Sequence, residues 1–202
     1  MNLPNKLTIL RMLLIPFFVI AMTWKSLPYH YFIGLALFVI ASLTDLFDGI
    51  IARRNNLITD FGKFMDPLAD KLLVTAAMVC FVELDMIVSW VVILILAREF
   101  LVTSLRTLAA GKGIVIAADK WGKYKTVSQM IWVILGLVLL AIQDLIMPGQ
   151  AVTAEIYQQG VIGTVILAGF TVFVMLTMVV VLLTLISGFN YMWKNRSVFS
   201  DM

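Results

Sequence analysis

Apolar residues come in long runs along this chain, and charged residues interrupt them at only a few places. Each run is close to the ~20 residues that a helix needs to cross a bilayer. The pattern predicts spans over Leu7–Thr23, Tyr31–Ala52, Lys63–Val82, Met86–Leu108, Thr126–Leu145 and Val161–Ile186. The expected fold class is therefore all-α: a polytopic membrane protein with six transmembrane helices and a short N-terminal amphipathic lead. In that lead, Asn5, Lys6 and Arg11 alternate with Leu3, Leu7, Ile9 and Leu10. Pro16 falls inside the first span as a tolerated kink. This run is short enough for a signal peptide, but no small-x-small cleavage site follows. Trp24 and Tyr29 read instead as an interfacial belt.

The breaks between runs have distinct chemistry. Arg53, Arg54, Asn55 and Asn56 make a polar turn, and Thr59 or Asp60 can cap the helix that follows. Glu83 and Asp85 mark a short acidic turn. Ala109–Lys125 carries Lys112, Lys120, Lys123 and Lys125 with Gly111, Gly113 and Gly122, and is read as a basic loop holding at most one surface helix. Met147-Pro148-Gly149 closes the fifth span, and a polar stretch with Glu155, Gln158 and Gln159 follows. Tyr191, Trp193, Lys194 and Arg196 anchor the end of the sixth.

Composition agrees with this reading. The 202 residues are 62% hydrophobic and only 13% charged, with a mean hydropathy of +1.02, which excludes an ordinary soluble domain. One membrane domain over residues 1–202 is expected. The net charge of +3 matters less than its placement. In a six-span arrangement Lys25 is the one basic residue on its side, and the other Lys and Arg residues share the opposite side. The positive-inside rule then puts both termini at the cytoplasmic face of a cell membrane. Cys80 is the only cysteine, so no intrachain disulfide is possible, and it reads as a packing residue. His30 is also solitary and reads as interfacial. No histidine or cysteine cluster offers a zinc site.

Against this apolar background the stretch from Asp45 to Asp70 stands out. Asp45 and Asp48 are spaced i,i+3, and Asp66 and Asp70 are spaced i,i+4, so on helices each pair shares a face. The first pair falls at the end of the second span and the second pair at the start of the third, so both converge at one membrane edge. A carboxylate at a bilayer centre costs about 2.5–3.5 kcal/mol, and four would cost roughly 10–14 kcal/mol. Hard oxygen ligands at close quarters suit a divalent cation such as Mg²⁺, Mn²⁺ or Ca²⁺. Gly49 and Gly62 allow close approach of backbone or ligand, and Arg53 offers a fork for phosphate oxygens. Together they point to a pyrophosphate-bearing substrate.

The pattern Asp-x2-Asp-Gly-x2-Ala-Arg-x8-Gly-x3-Asp-x3-Asp is complete at Asp45, Asp48, Gly49, Ala52, Arg53, Gly62, Asp66 and Asp70. It resembles the signature of the CDP-alcohol phosphatidyltransferases. The resemblance implies that an alcohol hydroxyl attacks the β-phosphorus of CDP-diacylglycerol and displaces CMP without a covalent intermediate. It implies Mg²⁺ or Mn²⁺ held by the four aspartates, with Asp70 as general base. Gly49, Ala52, Arg53 and Gly62 match the positions that shape the nucleotide pocket. Membrane lipids and a second copy of the chain, as a homodimer, are the further partners implied; no nucleic acid is expected.

The acceptor is less directly specified, since serine, inositol or inositol phosphate, choline, phosphatidylglycerol and glycerol 3-phosphate are all used in that family. The segment Pro4-Asn5-Lys6-Leu7-Thr8-x2-Arg11 and the stretch from Arg98-Glu99-Phe100 to Lys123-Tyr124-Lys125-Thr126 are similar to phosphatidylglycerophosphate synthases. On that resemblance Asn5 and Thr8 help to bind the nucleotide, although such residues also cap interfacial helices. Arg98 and Arg106 lie about two helical turns apart, and with Lys123 and Lys125 they can form a pocket for an acceptor phosphate. A structural Arg98–Glu99 pair is the competing reading. The expected acceptor is sn-glycerol 3-phosphate. Two readings of other kinds compete: a cation transporter, because intramembrane acids often mark ion paths, and a non-catalytic lipid-binding scaffold. Neither a matching pair of interrupted helices nor any need for a complete acid set favours them.

Overall fold

The protein is described by a computed structural model covering residues 2–54, 60–114, 116, 120–146 and 160–196; the side chains of residues 3, 4, 46–54, 60, 61, 63, 64, 67 and 162 lie outside that description. Among the described residues the chain is helical, without strands: α1 Leu3–Thr23, α2 His30–Arg54, α3 Asp60–Glu83, α4 Ser89–Gly111, α5 Lys120–Ile146 and α6 Gly160–Lys194. Three stretches are long and apolar enough to cross a membrane, Asn5–Thr23, Lys120–Ile146 and Gly163–Lys194, and His30–Asp45 is a shorter apolar segment.

The helix boundaries correct two expectations. The amphipathic lead is not a separate element: α1 runs unbroken from Leu3, and Asn5, Thr8 and Arg11 are buried on its inner face. The basic loop is also shorter than expected. α4 continues to Gly111, where Gly113 turns the chain with φ +74°. α5 then begins at Lys120, so Lys123 and Lys125 are helical. Trp24 and Tyr29 are exposed between α1 and α2, as an interfacial belt requires. His30, by contrast, is buried at the start of α2, with its ring 3.8 Å from that of Tyr31. Thr59, expected as a possible cap, lies outside the described residues, as do residues 147–159.

α1 packs chiefly on α2, and α5 on α6, with α3 contacting α1, α4 and α5. Phe18 and Phe38 join α1 to α2, with ring centroids 5.8 Å apart. Phe81, Trp132 and Phe173 join α3, α5 and α6: the two rings Trp132 and Phe173 stack at 5.5 Å, and Phe81 meets both edge-on. The buried Trp132 indole donates to Thr177 Oγ1 at 2.8 Å, which satisfies its one polar atom. Cys80 is buried in this core, as expected. α4 reaches α3 and α6 but makes little contact with α5. That gap opens a cavity bounded by α2, α3, α4 and α5.

At the opposite end of α2 a charge is supplied from another helix. Asp144, buried near the end of α5, accepts the Tyr31 backbone N–H through Oδ2 at 3.2 Å. The first backbone N–H groups of a helix lack intrahelical partners and carry partial positive charge. A carboxylate there satisfies one of them and fixes α2 against α5.

Candidate active site

The cavity has a volume of about 320 Å³ and is lined by both polar and apolar side chains. Asp45 from α2, Asp70, Lys71 and Thr75 from α3, Glu99 from α4, and Lys125, Thr126 and Gln129 from α5 supply the polar groups. Val74, Met78, Leu96, Phe100 and Met130 supply the apolar ones. Val74 and Met78 lie one and two turns along α3 from Asp70, on the same side of the helix.

The expected convergence of the two acid pairs is seen for the described members. Asp45, near the end of α2, and Asp70, in the third turn of α3, line the same cavity. Among the described residues, the charges that act on Asp70 are those of Asp45, Arg11, Glu99 and Lys71. Asp66 lies one turn before Asp70, and its Oδ1 accepts the Thr8 hydroxyl at 2.7 Å. The Asp45 carboxylate pairs with Arg11 Nη1 at 2.5 Å. Thr8 and Arg11 are spaced i,i+3, so one face of α1 holds one acid from each of the two pairs. The side chains of Asp48, Ala52 and Arg53, and the surroundings of Gly49, lie outside the description. Gly62 is buried in the first turn of α3, and Asn5 is buried on α1.

The described residues contain no group of three acidic, histidine or cysteine side chains close enough to cage an ion. The donor chemistry nevertheless fits a hard cation: Asp45, Asp66 and Asp70 offer carboxylate oxygens at the junction of α2 and α3, where Asp48 is also carried.

The four cations expected to form one phosphate pocket occupy different surroundings. Lys125 lines the cavity: its ammonium is buried, donates to Glu99 Oε1 at 2.6 Å, and also donates to Gln129 Oε1. Arg98 is not on the cavity wall. Its Nη1 donates to Glu99 Oε1 at 2.8 Å and its Nη2 to Ser187 Oγ on α6 at 2.5 Å. Arg106 turns to α6, where Nε donates to the Tyr191 hydroxyl at 3.0 Å and the guanidinium lies 5.5 Å from that ring. Lys123 is exposed on the first turn of α5 and does not line the cavity.

The sequence pattern does not single out Lys71 and Arg11 as site residues, and the fold does. Lys71 lines the cavity beside Asp70, with Nζ donating to Thr103 Oγ1 at 2.5 Å. The available signal was the position of Lys71 immediately after the last acid of the pattern. For Arg11 it was a charged residue three positions from Thr8, on the same helical face.

The acids Asp45 and Asp70, the cations Lys71 and Lys125 and several apolar side chains line one pocket, which suits a charged group attached to a lipid. Residues 1–198 match the family described as CDP-alcohol phosphatidyltransferase. The chain belongs to that family. Among its relatives, a Bacillus subtilis (strain 168) protein named CDP-diacylglycerol–glycerol-3-phosphate 3-phosphatidyltransferase is 50% identical over 141 residues, covering 64% of this chain and 73% of the relative. Proteins of the same name from Rickettsia felis and Escherichia coli K12 are 43% identical over 129 residues and 42% identical over 140 residues. They cover 64% of this chain each, and 71% and 73% of the relatives.

Proposed function

We propose that the protein transfers the phosphatidyl group of CDP-diacylglycerol to sn-glycerol 3-phosphate, releasing CMP and forming phosphatidylglycerophosphate for phospholipid biosynthesis. The names of the relatives support both substrates. The observation that carries the reading in this chain is the shared cavity, which is lined by Asp45 and Asp70 together with Lys71 and Lys125.

In this reaction an oxygen of the acceptor alcohol forms a bond to the β-phosphorus, and the phosphoanhydride bond to CMP breaks. Such a transfer depends on positioning and charge neutralisation more than on covalent chemistry. The Asp70 carboxylate takes the hydroxyl proton. Lys71 and Lys125 receive the acceptor phosphate, Lys125 at the cavity wall and Lys71 beside Asp70. Arg98, Arg106 and Lys123 add positive potential around them. Asn5, Thr8, Gly49, Ala52, Arg53 and Gly62 shape the nucleotide side. Asp45, Asp48, Asp66 and Asp70 would hold Mg²⁺ or Mn²⁺, which when bound supplies charge neutralisation at the pyrophosphate. The apolar part of the lining, Val74, Met78, Leu96 and Met130, limits the water around the reacting groups.

All six helices span the cell membrane in this reading, with both termini and the site at the cytoplasmic face. Exposed Leu68, Leu72 and Val79 on α3, and Trp90, Ile93, Leu94, Phe100 and Leu101 on α4, favour a lipid-facing role for these two helices as well. The working assembly is a homodimer.

The test is an acceptor panel with purified protein, CDP-diacylglycerol and Mg²⁺ or Mn²⁺, scored by CMP release. Glycerol 3-phosphate should be the preferred acceptor; preference for serine or inositol phosphate would overturn the acceptor assignment.

A further inference from the structure

Arg98 occupies a slot built by two helices. A Cβ added at Gly122 on α5 would lie 3.4 Å from Arg98 Nη2, and one added at Gly188 on α6 would lie 3.1 Å from Arg98 Cγ. Ser187, beside Gly188, accepts the bond from Nη2. Small residues on both sides therefore let a long cationic side chain run between α4, α5 and α6 with only 11% of its side chain exposed.

The slot aims Arg98 away from the cavity, which Glu99 lines instead. Successive residues of a helix point about 100° apart, as 3.6 residues complete a turn, so Arg98 can face α6 while Glu99 faces the cavity. Both meet again at one atom. Glu99 Oε1 accepts from Arg98 Nη1 at 2.8 Å and from Lys125 Nζ at 2.6 Å. Lys125 is further fixed by Gln129 Oε1, and the Gln129 amide is in turn held 3.5 Å from Met78 Sδ. Ser187, Arg98, Glu99, Lys125 and Gln129 thus form a continuous chain from α6 to the cavity wall.

We infer that Arg98 and Glu99 are positioning residues, which do not touch the acceptor but hold the Lys125 ammonium at the place where an acceptor phosphate binds. The inference rests on the acceptor-phosphate role proposed for Lys125. The linkage has a clear physical purpose. A long lysine stem has four rotatable bonds, and ordering it at the moment of binding costs affinity. Glu99 pre-orders it, and Arg98 fixes the Glu99 carboxylate on the side away from the substrate. Without Arg98, Glu99 is free to turn and to carry its negative charge toward the incoming phosphate.

The experiment is a double-mutant cycle in the full-length purified protein, with KM and kcat measured by CMP release for glycerol 3-phosphate and for CDP-diacylglycerol separately. Lys125→Ala should raise the acceptor KM roughly ten- to hundredfold, as expected for loss of a charged contact. Arg98→Ala and Glu99→Gln should each raise it by a smaller factor, on the order of three- to tenfold. Added to Lys125→Ala, either change should have little further effect, because the group it positions is gone. The CDP-diacylglycerol KM should stay within about twofold throughout.

Multiplicative effects of Arg98→Ala and Lys125→Ala would show that Arg98 contacts the acceptor directly and would overturn the inference. Equal losses for both substrates would assign Arg98 to fold maintenance and would overturn it too. If Arg98→Ala does not accumulate, the Glu99→Gln and Lys125→Ala cycle decides alone, by the same criterion of additivity. Failure of the acceptor reading itself would be visible in the wild-type protein, as an absence of CMP release with glycerol 3-phosphate before any variant is compared.

Discussion

The Arg11 guanidinium is completely buried and lies 2.5 Å from the Asp45 carboxylate, which ties α1 to the acid-bearing end of α2. One turn earlier, Thr8 makes the corresponding tie to Asp66 on α3. α1 is therefore part of the site and not merely a lead into the membrane. It spaces the two acid-bearing helices and supplies one positive charge among several negative ones.

Replacing Arg11 with methionine keeps most of the apolar stem and removes the charge. Asp45 is 42% exposed in its side chain, so water screens part of the pair. The expected cost to stability is therefore modest, about 1 kcal/mol or less, as for other partly screened ion pairs. The larger effect should fall on activity, because Asp45 loses its anchor. CMP release should drop at least about tenfold, while Arg11→Lys recovers part of it. Full activity in Arg11→Met would show that α1 has no part in ordering the acids.

Asp45→Asn and Asp66→Asn each keep the shape and remove a charge. Either should lower turnover by at least about a hundredfold, which corresponds to roughly 2.7 kcal/mol of barrier, with membrane insertion and detergent extraction unchanged. Exhaustive chelation of the wild-type protein should abolish CMP release, and added Mg²⁺ or Mn²⁺ should restore it. Persistent turnover after chelation would exclude the metal-bound reading of these aspartates.

Topology can be tested by single cysteines in a Cys80→Ala background. Lys112 follows α4 and is exposed; Ser26 and Val88 are exposed in the turns at the other ends of the helices. A membrane-impermeant thiol reagent added to intact cells should label Ser26→Cys and Val88→Cys and should spare Lys112→Cys until the membrane is opened. The reverse pattern would invert the proposed orientation.

Asp144 sits far from the cavity residues along α5 and serves the fold alone. Asp144→Ala leaves the Tyr31 backbone N–H without its acceptor at the start of α2. Loss of a helix-capping acceptor costs about 0.5–2 kcal/mol, so a lower unfolding temperature in detergent is expected. Asp144→Asn keeps an acceptor oxygen and loses only the charge, and should cost less. Initial rates measured well below the transition should match the wild type in both variants.

The residues that define the chemistry are legible in the order of amino acids along the chain. Hydropathy indicates the helical character, because a backbone in lipid must satisfy its hydrogen bonds within each segment. Helical spacing puts Asp45 with Asp48 and Asp66 with Asp70, and the position of both pairs beside one polar turn brings them to a common end. The complete acid and glycine pattern identifies the family. These inferences need only local periodicity and residue type.

What tertiary structure alone decided was the partner of each charge. Periodicity states which residues share a helix face, but not which helix lies opposite. Arg98 and Lys125 are both cations near the expected pocket, yet one faces a slot on α6 and the other lines the cavity. Glycine is similarly ambiguous: Gly122 reads in sequence as a loop residue, and in the fold it is a helical position kept small for Arg98. Lys71 beside the last acid and Arg11 at the end of the N-terminal segment are visible in sequence, but their partners are not, because those come from helices brought together over long separations. The sequence by itself determined the membrane-type helices and the acid-bearing chemistry, since both are encoded within a turn or two of chain. Packing of α1, α4, α5 and α6 around the acids decided which cations complete the site, since a charge acts on what lies within a few ångströms of it and not on its neighbours in sequence.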